Sequence, residues 1–145
     1  MADHQESGSG QAGAEPMAEL LVTGGSGFIG SHVVRALSRA GYSVVVFDNL
    51  VTGHLDALSN AGDFNIFQAD LRDEQALRAC FTNHNFKGVL HFAGLALVGE
   101  SVQDPEKYYG TNVIGSLNLL SACKRFGVNN FVFSSTCSTY GLPGT

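Results

Sequence analysis

The chain has no tryptophan, three prolines, three cysteines and eight basic residues among 145. The cysteines, Cys80, Cys123 and Cys137, are odd in number and widely spaced. They exclude a disulfide framework and a cysteine-based zinc site, and reduced thiols in a cytoplasmic protein fit better. The five histidines, His4, His32, His54, His84 and His91, show no ligand spacing with one another, so no metal is expected. His91 ends an apolar run and reads as a packed core histidine. The eight Lys and Arg are scattered and the formal net charge is −5. That excludes a basic face, and nucleic acid with it. No apolar stretch approaches the roughly twenty residues that span a bilayer, so no membrane association is expected. Residues 1–16 lack both an apolar block and a basic start, which argues against a secretory signal or an amphipathic transit peptide. Rich in Gly, Ser, Ala, Gln and acids, they read as a disordered tail ahead of a folded unit at 17–145.

Glycine is the residue in plenty. The informative glycines stand in Leu20-Leu21-Val22-Thr23-Gly24-Gly25-Ser26-Gly27-Phe28-Ile29-Gly30-Ser31-His32. An apolar run meets a turn, and a helix-compatible segment follows at once. Gly24 lets the chain turn tightly off a strand, Gly27 lets a pyrophosphate approach the backbone, and Gly30 lets the helix pack on the sheet. The first helical N–H groups are unpaired and suit a bound phosphate. The next apolar run, Val44-Val45-Val46-Phe47, ends in Asp48, eighteen positions past Gly30. A carboxylate about twenty residues on is what a ribose 2′-OH acceptor requires. The same residues would also serve a plain strand–turn–helix with Asp48 facing solvent.

The remaining chain alternates strands with helices. Strands are expected at 18–23, 43–47, 64–68, 88–92 and 130–134. Helices are expected at 27–40, from Asp73 as N-cap through Phe81, and at 105–126, with a short one near 55–60. Along the long helix, Val113, Leu117, Leu120 and Cys123 mark the periodicity; residues 95–104 read as a loop. The alternation predicts an α/β fold, a doubly wound parallel sheet of Rossmann type with five strands in the order 3-2-1-4-5. Ligands bind such sheets beyond the carboxyl ends of the strands. The glycine turn, Asp48, Asp70, Phe92-Ala93-Gly94 and Ser134-Ser135-Thr136 all lie there, so five segments converge on one crevice.

With these residues in view, the chain resembles the extended short-chain dehydrogenase/reductase family over about 17–141. Within it the similarity is to the UDP-glucose (UDP-galactose) 4-epimerase branch. Beyond the glycine turn, the stretches that carry it are Asp48-Asn49-Leu50, His91-Phe92-Ala93-Gly94-Leu95, Val98-Gly99-Glu100-Ser101-Val102, Tyr108-Tyr109 with Asn112-Val113, and Phe133-Ser134-Ser135-Thr136. The resemblance implies tightly bound NAD and epimerisation of a UDP-sugar through a 4-keto intermediate. It implies that Phe28 and Ile29 lie under the pyrophosphate. Asp48, Asn49, Leu50, Val51, Thr52 and Gly53 would hold the adenosine ribose, and Asp70 and Leu71 would border the adenine. Phe92, Ala93 and Gly94 would line the path to the nicotinamide ribose, with Asn112 and Ser134 also at the cofactor. Thr136 stands where the family has a catalytic Ser or Thr. Asp48 favours NAD over NADP, since a carboxylate repels a 2′-phosphate.

Two departures stand out. Ala96 occupies a position where many epimerases carry Lys. The family's general base is a Tyr four residues before a Lys, but Tyr42, Tyr108, Tyr109 and Tyr140 are followed at that distance by Val46, Asn112, Val113 and Gly144. The resemblance therefore implies an N-terminal part that stops before the last strands and the substrate domain, inactive by itself. Three readings stay open: part of a UDP-glucose 4-epimerase, part of another sugar-nucleotide enzyme such as a UDP-arabinose 4-epimerase, or a non-catalytic nucleotide-binding fragment. Family homodimers form through two long helices, and only one, about 108–126, is present here.

Overall fold

A central strand with a neighbour on each side sets the geometry. The computed structural model describes residues 18–136, 139 and 141; the tail reading for 1–16 lies outside them. The strands are β1 (Glu19–Thr23), β2 (Ser43–Asp48), β3 (Asn65–Gln68), β4 (Phe86–His91) and β5 (Phe131–Phe133). All pairings are parallel, in the order β3-β2-β1-β4-β5. Thr23, at the end of β1, pairs with Phe47 on one side and His91 on the other, which brings three strand ends to one level. This is the expected Rossmann-like sheet.

Alternation along the strands assigns the two faces. Leu21, Val45, Phe47 and Val89 pack with Leu77, Phe81, Leu119 and Cys123 from α2 (Glu74–Asn83) and α5 (Gly115–Phe126). Val22, Val44 and Val46 pack with Val34 from α1 (Phe28–Arg39) and with Leu58 from a 3-10 turn at Leu55–Leu58. Each such side chain withdrawn from water contributes about 1.5–3 kcal/mol, which is why the strands read as unbroken apolar runs. Asp73 caps α2, its carboxylate accepting from the Gln75 and Ala76 N–H groups. Gly127 ends α5 in the left-handed region, at φ 73°.

Three local expectations differ from the structure. Residues 95–104 are not all loop: α3 spans Val98–Gln103, a single short helix with a glycine inside it, too short for a periodic signal. The long helix is α4 (Pro105–Tyr108), a π-helical segment (Tyr109–Ile114) and α5 in succession. A π turn advances the chain past the regular register and shifts which side chains face inward. Of the residues that marked the periodicity, Val113, Leu117 and Leu120 are exposed, Leu117 by 56%, while Cys123 is buried together with Leu119 and Ala122. Ile29, at the N-terminal end of α1, is exposed and stands at the crevice.

Candidate functional site

The carboxyl ends of the strands enclose a crevice of about 390 Å³. Its first wall is the glycine turn. Gly24 has φ 69°, and a Cβ there would lie 2.5 Å from the Ala93 nitrogen. A Cβ at Gly30 would run into the Gly24 carbonyl oxygen, whereas one at Gly27 would meet only that oxygen, at 3.2 Å. Gly24 and Gly30 are thus fixed by the fold, while Gly27 leaves space on its crevice side. The N-terminus of α1 has no capping side chain and no acid in its first turn. Phe28, just beyond it, is 83% exposed. The first N–H groups of this helix therefore remain available to an anion.

Asp48 does not face solvent; it is 8% exposed. Oδ2 accepts from the Ser26 N–H at 2.9 Å and Oδ1 from the Leu50 N–H at 2.9 Å. Each oxygen keeps a lone pair for a further donor. Leu50 holds φ 59°, a left-handed conformation unusual for a leucine. The loop that follows is tied to the turn by the His54 N–H, which donates to the Ser26 carbonyl at 3.1 Å. Gly53 is required there, since a Cβ would sit 2.8 Å from that of Ser26.

Beside this loop, Asn49 Nδ2 donates to Asp70 Oδ2 at 2.9 Å. Arg72 grips the same carboxylate with Nε and Nη2, at 2.9 and 2.8 Å. Those hydrogen bonds hold the Asp70 carboxyl far below the usual carboxylate range.

The opposite wall follows β4. Asn112, in the π segment, accepts from the Leu95 N–H at 2.8 Å and donates to the Leu95 carbonyl at 2.9 Å. Below it, His91 is 1% exposed. Its ring contacts Thr23 Oγ1 at 2.6 Å and Ser116 Oγ at 2.8 Å, and burial pushes its pKa down to about 4. Farther out, Glu100 accepts from Lys107 and from the Tyr108 hydroxyl, and Tyr108 accepts from the Leu97 N–H. These contacts lower the Glu100 carboxyl and raise the Lys107 ammonium.

The crevice is lined by Gly24, Gly27, Phe28, Ile29, Gly30, Asp48, Asn49, Val51, Thr52, Gly53, Asp70, Leu71, Phe92, Ala93, Gly94 and Ser134, all expected there. Leu50 and Asn112 do not line it; one shapes the loop and the other pins the wall. Thr136 is exposed beyond β5, outside the lining. Arg72, Lys107 and Thr111 line the crevice without having been anticipated. The one signal for Arg72 was its place two residues past Asp70. Nothing local marked Lys107, which the turns of α4 bring in.

An uncapped helix end, a glycine with space beside it and a carboxylate with spare acceptors fit a dinucleotide: donors for its phosphates, an acceptor for its ribose. Among the described residues no group of three His, Cys, Asp or Glu is arranged to hold a metal ion. No helix among them is long and apolar enough to cross a membrane.

The sequence over residues 20–145 matches the NAD dependent epimerase/dehydratase family. It is 47% identical over 125 residues to the UDP-glucose 4-epimerase of Rhizobium meliloti (strain 1021), covering 86% of this chain and 37% of that protein. The structure is similar to UDP-glucose 4-epimerase from Brucella ovis in complex with NAD, with a TM-score of 0.77 and 46% identity, over 88% of this chain and 38% of that one. It is likewise similar to the Bifidobacterium longum UDP-glucose 4-epimerase in complex with NAD+ and UDP, with a TM-score of 0.80 and 37% identity, over 88% and 39%. The chain thus spans less than two-fifths of these relatives. Its sheet order, its glycine turn and the matched residues agree, and the chain belongs to the NAD dependent epimerase/dehydratase family.

Proposed function

We propose that the chain is the NAD-binding part of a UDP-glucose 4-epimerase, which interconverts UDP-glucose and UDP-galactose through a 4-keto intermediate. The observation that carries this is the uncapped N-terminus of α1 and the Asp48 carboxylate on one crevice, in a chain 47% identical to such an enzyme. The α1 N–H groups at Phe28 and Ile29 hold the pyrophosphate. Asp48 and the loop to Gly53 hold the adenosine ribose, and Asp70 and Leu71 border the adenine. Phe92, Ala93 and Gly94, with Ser134, line the nicotinamide end. NAD, when bound, supplies a reversible hydride acceptor. Thr136 offers a hydroxyl that both donates and accepts toward the reacting sugar hydroxyl. No Tyr-x-x-x-Lys pair occurs in the chain, so the general base is not among its residues. By itself the chain is expected to bind NAD without turning over a sugar.

That missing pair also favours a second reading, a nucleotide-binding unit without catalysis. The sugar is a separate matter: Ser134-Ser135-Thr136-Cys137 suits a UDP-arabinose 4-epimerase as well. The buried, free thiols of Cys80 and Cys123 support a reducing, cytoplasmic location. The exposed Val113, Leu117 and Leu120 support a homodimer of the complete protein through this helix.

Calorimetric titration of the full chain with NAD and with NADP tests the cofactor. NAD is expected to bind at one site and NADP at least about tenfold more weakly, since Asp48 faces the 2′-position. No heat with NAD would remove the proposal. Turnover of UDP-glucose against UDP-arabinose by the complete protein then separates the sugar readings, and turnover of neither favours the non-catalytic one.

A further inference from the structure

A polar relay, buried at Thr23 and His91 and half-buried at Ser116 and Asn112, runs from β1 to the π segment. Thr23 is the last residue of β1 and precedes Gly24; its Oγ1 lies 2.6 Å from His91 Nδ1. His91 Nε2 lies 2.8 Å from Ser116 Oγ on α5. The Ser116 hydroxyl donates to the main-chain oxygen of Asn112 at 2.6 Å. A hydroxyl has one proton, and Ser116 gives it to Asn112. Ser116 must therefore accept from His91, so the ring proton is on Nε2 and Nδ1 accepts from the Thr23 hydroxyl. One direction of donation, Thr23 to His91 to Ser116 to Asn112, satisfies every member. It requires a neutral ring, and burial keeps the ring neutral.

The far end of the relay is a functional place. A serine bonding back to the carbonyl four residues earlier bends a helix. Here that carbonyl belongs to the π segment at Tyr109–Ile114, and π turns place side chains that a regular helix would turn away. The side chain so placed is Asn112, which accepts from the N–H of Leu95 and donates to its carbonyl. Leu95 lines the crevice. Packing against Phe131 and Phe133, whose rings lie 6.0 and 5.4 Å from His91, needs only an aromatic ring. The two ring nitrogens answer a different need.

We infer that His91 is a positioning residue for the dinucleotide crevice: through Ser116 it fixes the π turn, and the π turn aims Asn112 at the Leu95 peptide in the wall. The functional consequence rests on the NAD reading; the relay itself does not.

The test uses the full chain with Ser116→Ala, Ser116→Thr and Thr23→Val. Amide exchange without ligand reads the relay. In Ser116→Ala, the Leu95 N–H is expected to exchange about tenfold faster, beyond any change at Val45 in β2, which reports global opening. NAD binding, measured well below the melting temperature, is expected to weaken about five- to tenfold. Ser116→Thr keeps the hydroxyl and should restore both; Thr23→Val should reproduce the Ser116→Ala change at Leu95 in weaker form. Unchanged Leu95 exchange in Ser116→Ala would overturn the inference. So would a change shared equally by Val45 and not restored by threonine, which would mark a structural role alone. If the wild type binds no NAD, the cofactor reading fails while the exchange experiment still decides the relay.

Discussion

The two walls of the crevice are built on opposite principles. The wall from β1, α1 and β2 is shaped by side chains that are missing. A Cβ at Gly24, Gly30 or Gly53 would overlap backbone or a neighbouring Cβ, so the turn and the loop close through main-chain contact. The wall from β4, the π segment and α5 is shaped by side chains that are present: His91, Ser116 and Asn112 position the Leu95 peptide through directed hydrogen bonds. The first kind of wall has no slack and fails sterically. The second can be loosened by one hydroxyl while the sheet stays intact.

The sharpest break of that contrast is Gly30→Ala. With the Gly24 carbonyl oxygen in the way, the substitution is expected to cost about 3 kcal/mol or more in denaturant unfolding. Gly27→Ala should cost under about 1 kcal/mol, because its only near contact is at 3.2 Å, and should instead weaken NAD binding. Equal stability losses for the two would dissolve the distinction between a fold glycine and a ligand glycine.

Acid tests the other wall. His91 titrates near 4 when folded and near 6.5 when unfolded. Between those values the unfolded chain binds a proton that the folded chain does not. Stability is therefore full above pH 6.5 and declines as pH falls toward 4, by at most about 3 kcal/mol. Unfolding midpoints from pH 4 to 8 check this, and replacing His91 with Phe should flatten the curve. The thiols give the alkaline counterpart. Burial raises Cys80 to about 12 and Cys123 to about 11, above the ordinary 9.0, so their contribution is present below pH 9 and is lost as pH rises beyond it.

Asp48→Asn sharpens the contrast at the turn. One of two N–H groups, from Ser26 or Leu50, would face an amide instead of an acceptor. A loss of about 1–2 kcal/mol is expected, with weaker NAD binding measured by titration.

The smallest effect is expected at Arg72. Its pairing with Asp70 is bidentate, but its side chain is 52% exposed. Arg72→Ala should cost less than about 1 kcal/mol in unfolding despite the strongly lowered Asp70 carboxyl. A loss above about 2 kcal/mol would mean the pair braces the adenosine side of the crevice.

This asymmetry also explains what could be read from the sequence. Backbone constraints leave a fixed spacing, so Gly24, Gly27, Gly30 and Asp48 announced the first wall, and unbroken apolar strands announced the sheet. The second wall depends on a helix register that a π turn alters. Periodicity in the sequence marked Val113, Leu117, Leu120 and Cys123; in the structure Cys123 is buried and the other three are exposed. His91 was legible as buried but not as a hydrogen-bonding hub, because its partners lie 68 and 25 residues away. Lys107 reaches the crevice through the short helix α4, which no local pattern placed at the wall.

Amide exchange of the full chain with and without NAD tests the central claim, that both walls close on one dinucleotide. The account predicts slowed exchange at residues 27–30 and 50–53 on one side and at 93–96 on the other. Slowed exchange on one wall alone, or on neither, would contradict it.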